Sequence, residues 1–392
     1  MAENVDKEEE RRAAEDLRRQ LQERSGGPHV SAEESFHWLD ENSELLEQIA
    51  LESWGSASGE RLTPAQFKEE LSTVPLPSPH DEPFTHSVVH MLSRQIEGAC
   101  RELKIPLRGG VAYGSNASLD AASPFQFGVP LTDASVISLS TGFITFCTSV
   151  SAMFALSLPH EGDDTRLKVS FAPNLVLAAL GSDDGLRSYW QEVFSNYAVG
   201  SGPLSVGHRT VPFPASYTRM QILFSMERFS LAHEYGHHIG QHGRAAAAGA
   251  NGEMDAIGQE FEADLFALAV DRYVGLREER PNSFSGSGAA AVLLLKCHDC
   301  IRRVRQIFIT GEDKLQSDGV HPPTAARIAA FDKLDYLLPE PMRSNMRKMR
   351  GDCAEIVEQM YVMLKPIYIG MHEQGVRPSA PPQAFDPPHC LL

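Results

Sequence analysis

His233-Glu234-Tyr235-Gly236-His237 places two imidazoles four residues apart, with a carboxylate beside the first. At 3.6 residues per turn, positions i and i+4 share a helix face, so His233 and His237 can aim two ring nitrogens at one metal ion. Glu234 then stands where it can take a proton from a water on that ion. The spacing is the HExxH pattern, and it works only on a helix. Met226, Phe229, Leu231 and Ala232 lead into the motif and no proline falls between Pro214 and His233, so a helix is expected there.

A catalytic zinc takes three protein ligands and keeps one position open. Downstream lies Gly258-Gln259-Glu260-Phe261-Glu262-Ala263-Asp264-Leu265-Phe266-Ala267, in which Glu260 and Asp264 are again four apart and share a helix face. HExxH followed by this ExEAD segment resembles the gluzincin class of zinc peptidases. The resemblance implies that Glu260 is the third ligand and that Asp264 holds the distal ring nitrogen of a ligand histidine. Glu262 points round the helix, solvated or paired elsewhere. The stretch from Gly243 to Met254 is rich in glycine and alanine and can reverse the chain between the two helices.

The metzincin pattern, HExxHxxGxxH, is the rival. Gly240 fits it, but Gly243 stands where the third histidine belongs. His242 comes one residue early, a displacement of about 100° on a helix. Glu260 is therefore the expected ligand, with His238 and His242 solvated or supporting the site from outside the ligand set.

Further segments resemble the HtpX and CAAX-prenyl-protease type of gluzincin. Asn116-Ala117, then Ala134 to Phe143 with its Ser140-Thr141-Gly142, precede the motif, and Gly319-Val320-His321-Pro322-Pro323-Thr324-Ala325-Ala326-Arg327-Ile328 follows it. These pieces keep that family's order over residues 111–331. Phage-exclusion peptidases of the Lit type show a looser resemblance that suits a chain without membrane spans. What the resemblance implies for His321 is an imidazole donor to an oxyanion near the metal; the residues alone allow equally an anchor for the Pro322-Pro323 turn. Arg327 either pairs with a carboxylate in the core or binds a substrate carbonyl. The chain departs from the family in its long spacing between Ser140-Thr141-Gly142 and HExxH, and in residues 159–215, which match none of its motifs.

Composition sets outer limits. A formal net charge of −17 disfavours nucleic acid and anionic membrane surfaces as partners. The N-terminus lacks an apolar signal core, and the cysteines are scattered, with only Cys297 and Cys300 close together, so reduced thiols in a cytoplasm are expected. Cys297-His298-Asp299-Cys300 has no second Cys or His pair at finger-like spacing and reads as two packed cysteines. Ala134 to Leu158 is the longest uncharged run, yet serine and threonine recur throughout. It reads as a buried strand, Val136 to Leu139, then an amphipathic helix capped near Ser140 or Thr141 rather than a membrane span.

The periodicity predicts an α+β, mainly helical fold. It comprises a zincin (gluzincin) catalytic domain with a small sheet packed beside the HExxH helix. Residues 1–30 form a charged arm, either a helix or a flexible tail, 31–83 a helical region and proline-rich linker, 84–377 the catalytic domain and 378–392 a Pro-rich tail. Ser283 to Gly288 reads as a flexible break before a helix from Ala289 to Ile309. The expected function is a zinc-dependent endopeptidase with one Zn²⁺ per chain, held by His233, His237 and Glu260. Glu234 serves as general base, and the protein or peptide substrate pairs with a sheet edge such as Val136 to Leu139. A narrow-specificity regulatory or phage-defence protease is the alternative within that chemistry. A non-catalytic zinc scaffold is a third reading, against which Glu234 speaks, since a structural site needs no base.

Overall fold

Most of the chain is helical because apolar residues recur at helical spacing along it, and the strands are few and short. The computed structural model describes residues 2–25, 32–44, 64–116, 124–161, 168–200, 209–242, 256–314, 322–336 and 338–379. The N-terminal part carries α1 (Ala2–Ser25), α2 (Ala32–Glu41), α3 (Pro64–Thr73) and α4 (Pro83–Glu102). Glu82 caps α4 by accepting from the backbone N–H groups of Phe84 and Thr85, and Pro83 sits in the first turn, where no intrahelical donor is lost.

A three-stranded sheet follows, built from β1 (Val111–Asn116), β2 (Phe125–Gly128) and β3 (Ser135–Ser140) in the order β1-β3-β2. β1 runs parallel to β3 and β2 antiparallel to it. β3 is therefore the central strand, buried along its whole length, and both its edges are already paired. Among the described residues, the edge open to a further strand on the motif side belongs to β2, not to Val136–Leu139 as expected. Local residue patterns mark a strand but do not rank it within a sheet.

The charged N-terminal segment, expected as a helix or a flexible arm, is a helix, and it docks on this sheet. Ala14 packs with Ala112, Val129, Ala134 and Val136. Arg18 reaches Asp81 with Nη1–Oδ1 at 2.6 Å and Nη2–Oδ2 at 3.1 Å, and both side chains are buried. Gly114 on β1 makes the room, since a Cβ there would overlap the Arg18 guanidinium. Asp81 comes from the proline-rich linker, which thereby serves as an anchor.

Ser140 caps α5 (Thr141–Ser157), its Oγ accepting from Phe143 N–H at 3.0 Å, as the sequence suggests. α5 is not amphipathic: it is buried on nearly all sides. Its serines fit because they bond back to helix carbonyls, Ser149 to Thr145 and Ser157 to Met153. The short strands β4 (His160–Glu161) and β5 (Lys168–Val169) lead to α6 (Pro173–Ser182) and α7 (Asp184–Val199). Next come α8 (Ala215–Gly240), which carries HExxH, and α9 (Ala256–Gly275), which carries Glu260 and Asp264.

The presumed break at 283–288 is α10 (Ser283–Ser287), buried and capped by Asn282, with Gly288 in the left-handed region at φ 75°. α11 (Ala289–Thr310), α12 (Thr324–Ala330), α13 (Asp332–Asp335) and α14 (Glu340–Glu373) complete the chain. One apolar core joins α4 through α14. No described helix is long and apolar enough to cross a membrane.

Candidate metal centre

α8 is enclosed by its neighbours, and α9 is the one that completes the site. The buried stripe of α9 runs Glu260, Ala263, Asp264, Ala267, Leu268, Asp271 and Gly275, one helix face at the three-and-four spacing. Three carboxylates thus look towards α8 and its neighbours. Asp271 answers Arg228, Nε to Oδ1 at 2.7 Å, with Ser225 and Ser285 also donating to it. Nearer the motif, Gly236 meets Ala263, so the two backbones cross at close range. One contact is polar and the other needs the smallest side chains; together they fix the register of the helices.

That register gathers the three donors expected from the sequence. His233 Nε2 and His237 Nε2 lie 3.0 Å apart. Glu260 Oε2 is 3.6 Å from the first and Oε1 is 3.3 Å from the second. Zinc bonds of about 2.0–2.1 Å at tetrahedral angles put donor atoms about 3.3–3.4 Å apart, so the spacing suits a metal ion of that size. The group formed by His233, His237 and Glu260 could hold a metal ion, and it is the one such group among the described residues.

The chemistry of the donors agrees. Burial, which outweighs the pull of Asp264, lowers the pKa of His233 and keeps its imidazole neutral. Burial works against a charged Glu260, yet His237, His233 and Arg327 together outweigh it and hold the carboxyl below its ordinary value. Two imidazoles and a carboxylate converging on one point offer the nitrogen and oxygen donors that a divalent cation takes.

Each candidate ligand histidine is held from behind. Asp264 Oδ1 stands 3.0 Å from His233 Nδ1, at ion-pair distance though not aligned as a full hydrogen bond. Arg327 fixes that carboxylate with Nε–Oδ2 at 2.7 Å and Nη2–Oδ1 at 2.6 Å. Burial opposes ionisation of Asp264, but Arg327 and His233 outweigh it and hold the carboxyl down to about 2. Arg327 therefore pairs with a core carboxylate. On the other histidine, His237 Nδ1 lies 2.8 Å from His242 Nδ1, and His242 Nε2 lies 3.2 Å from Glu262 Oε2.

Glu234 is buried beside this group. Burial, reinforced by the Glu260 charge, pushes its carboxyl well up, and Arg327 and the Gln126 backbone N–H offset this only in part. On the edge strand β2, the Gln126 side chain donates to Ser135 Oγ at 2.7 Å. Ser135 Oγ is also 2.9 Å from His238 Nδ1, whose Nε2 meets the Leu107 carbonyl at 2.9 Å. His238, read as solvated or supporting, is in fact a buried strut from α8 to the sheet and the α4–β1 loop.

A cleft of about 370 Å³ opens over the donors, with Phe125 and Gln126 of β2 on one side and Leu294, Leu295 and His298 of α11 on another. Burial takes His298 down to about 4, so its imidazole is neutral. Cys297 and Cys300 beside it are buried free thiols, as expected.

Five of the residues singled out from sequence, His233, Glu234, His237, Glu260 and Arg327, line this one cleft, with Asp264 directly behind it. His321 lies outside the described residues, as do Gly243 to Met254 and most of the Pro-rich tail. Sequence reasoning passed over Phe125, Gln126, Leu294 and Leu295, which carry no motif, and it gave His298 no part in the site. Comparison with known protein families, curated proteins and solved structures finds no match to this chain.

Proposed function

We propose that the protein is a zinc-dependent endopeptidase of the zincin, gluzincin-like, type. The observation that carries this reading is the pairing of three donor side chains, whose ligand atoms all lie within 4.8 Å of one another, with a buried carboxylate that is not one of them, Glu234. A purely structural zinc site closes with a fourth protein ligand and needs no base; among the described residues this group has three. Held there, zinc would supply Lewis acidity, lowering the pKa of a water in the open position and polarising a carbonyl.

Glu234 takes the proton that the water loses as its oxygen attacks the scissile carbonyl carbon. It then delivers that proton to the leaving amine nitrogen. Beside a bound cation the Glu234 carboxyl, held up by burial and by Glu260, would ionise into the form that accepts this proton. An extended peptide lies beside β2, whose free edge offers main-chain groups without demanding one sequence. Leu294, Leu295 and Phe229 receive an apolar side chain and keep water from the reacting bond. His321 remains the proposed oxyanion donor, on the resemblance that suggested it.

Elemental analysis of purified protein together with a proteome-derived peptide screen tests the reading. About one zinc per chain, lost in His233→Ala and Glu260→Ala, and new peptide termini generated only by wild type are expected. Zinc retained in full by His233→Ala, or no cleavage of any peptide by zinc-loaded wild type, would overturn it.

A further inference from the structure

We infer that His242 is a positioning residue of the metal centre, folded back by the Gly240-Gln241-His242 turn to fix His237 as Asp264 fixes His233. The inference rests on the metal reading and adds a residue to it. α8 ends at Gly240, and Gln241 caps it in the left-handed region at φ 54°, an uncommon conformation for a residue with a side chain. Gln241 Nε2 donates to Asp133 Oδ1 at 3.2 Å, which helps hold the turn. The His242 N–H then donates to the His237 carbonyl at 3.1 Å, and the imidazole turns back over the helix end. A Cβ on Gly240 would overlap that ring, so this placement of the imidazole needs glycine there.

The ring comes to rest edge-to-face on His237, centroids 5.0 Å apart and planes at 76°. Its side chain is only 7% exposed, although the residue follows a helix terminus. At its far side stands Glu262, which is 53% exposed. Hydrogen positions along this chain follow from the metal. With Nε2 of His237 turned to the ion, its proton sits on Nδ1 and must donate, so His242 Nδ1 accepts. The His242 proton is then on Nε2 and donates to Glu262. One arrangement satisfies every atom from the metal to solvent. Glu262, which the sequence places on another face of α9, enters the site through His242.

Zinc affinity measured by chelator competition on the full chain tests this, with the visible spectrum of the cobalt-loaded protein as a second readout. His242→Ala and Gly240→Ala should each bind zinc about 10–100-fold more weakly and shift the cobalt bands, with helical content unchanged. His242→Asn should recover most of the affinity, since its amide oxygen can occupy the Nδ1 position and accept from His237. An unchanged affinity in His242→Ala, or an Asn variant no better than Ala, overturns the inference while leaving the metal reading intact. Wild type that binds no zinc overturns the metal reading itself, and the inference with it.

Discussion

Gly236 and Ala263 meet where the two site helices cross, so closely that a Cβ on Gly236 would lie 2.8 Å from the Ala263 Cα. The glycine inside HExxH is thus a packing requirement of α8 against α9. It brings Glu260 within reach of both histidines, which lie 27 and 23 residues before it in the sequence (260 − 233 and 260 − 237).

Gly236→Ala should therefore cost stability, although alanine favours a helix by about 1 kcal/mol over glycine. Forcing the backbones apart typically costs about 1–3 kcal/mol, and zinc affinity should fall with it because Glu260 moves with α9. Urea unfolding and chelator competition read the two effects. A more stable variant with unchanged zinc affinity would mean that the helices do not touch at this face.

Arg327 separates two roles left open by the sequence. Its two bonds to Asp264 make it a partner for a buried carboxylate. Arg327→Met should strand that charge, with a loss of about 3–5 kcal/mol in unfolding free energy and weaker zinc binding. A substrate-binding arginine would instead raise KM and leave the unfolding midpoint in place, and that outcome would reassign it.

What was legible in the sequence is what depends on short-range periodicity. His233 with His237, and Glu260 with Asp264, share a face because i and i+4 on a helix are neighbours whatever the rest of the chain does; that the two pairs belong to one site is what the resemblance of HExxH and ExEAD to gluzincins implies. The α5 cap at Ser140 is equally local. Strand order is not: the pattern of Val136–Leu139 suits an edge as well as a centre, and β2 holds the edge. The docking of α1 hangs on a pair 63 residues apart, Arg18 and Asp81, and on the missing side chain of Gly114, none of which leaves a periodic trace. His242 was set aside by helical geometry that stops applying at Gly240. The signal available was the glycine itself, two residues before a histidine just beyond a helix end.

Glu227 supplies a test of the interior that is independent of the metal. It lies two helical turns before Glu234, fully buried, and burial, only partly offset by Arg219, raises its carboxyl to about 8. Unfolded, it titrates near 4.5. Because the folded value is the higher one, its contribution to stability is fully present below pH 4.5 and is lost as pH rises from 4.5 to about 8. The loss approaches about 1.4 kcal/mol per pH unit across that window. Glu227→Gln, which stays neutral, should be more stable than wild type at pH 8 and similar to it at pH 4. Parallel stability curves for the two proteins over this range would show that Glu227 ionises without penalty in the fold.

The central claim is that Glu234 moves the proton in a hydrolysis whose metal is held by its neighbours. Turnover of a cleaved peptide by zinc-loaded Glu234→Gln, compared with zinc-loaded wild type, addresses it directly. The amide keeps the shape of the side chain but cannot accept a proton. The account predicts a drop of about 10²–10⁴-fold in kcat, with zinc content and melting temperature near those of wild type. Turnover within tenfold of wild type, at equal zinc content, would contradict it.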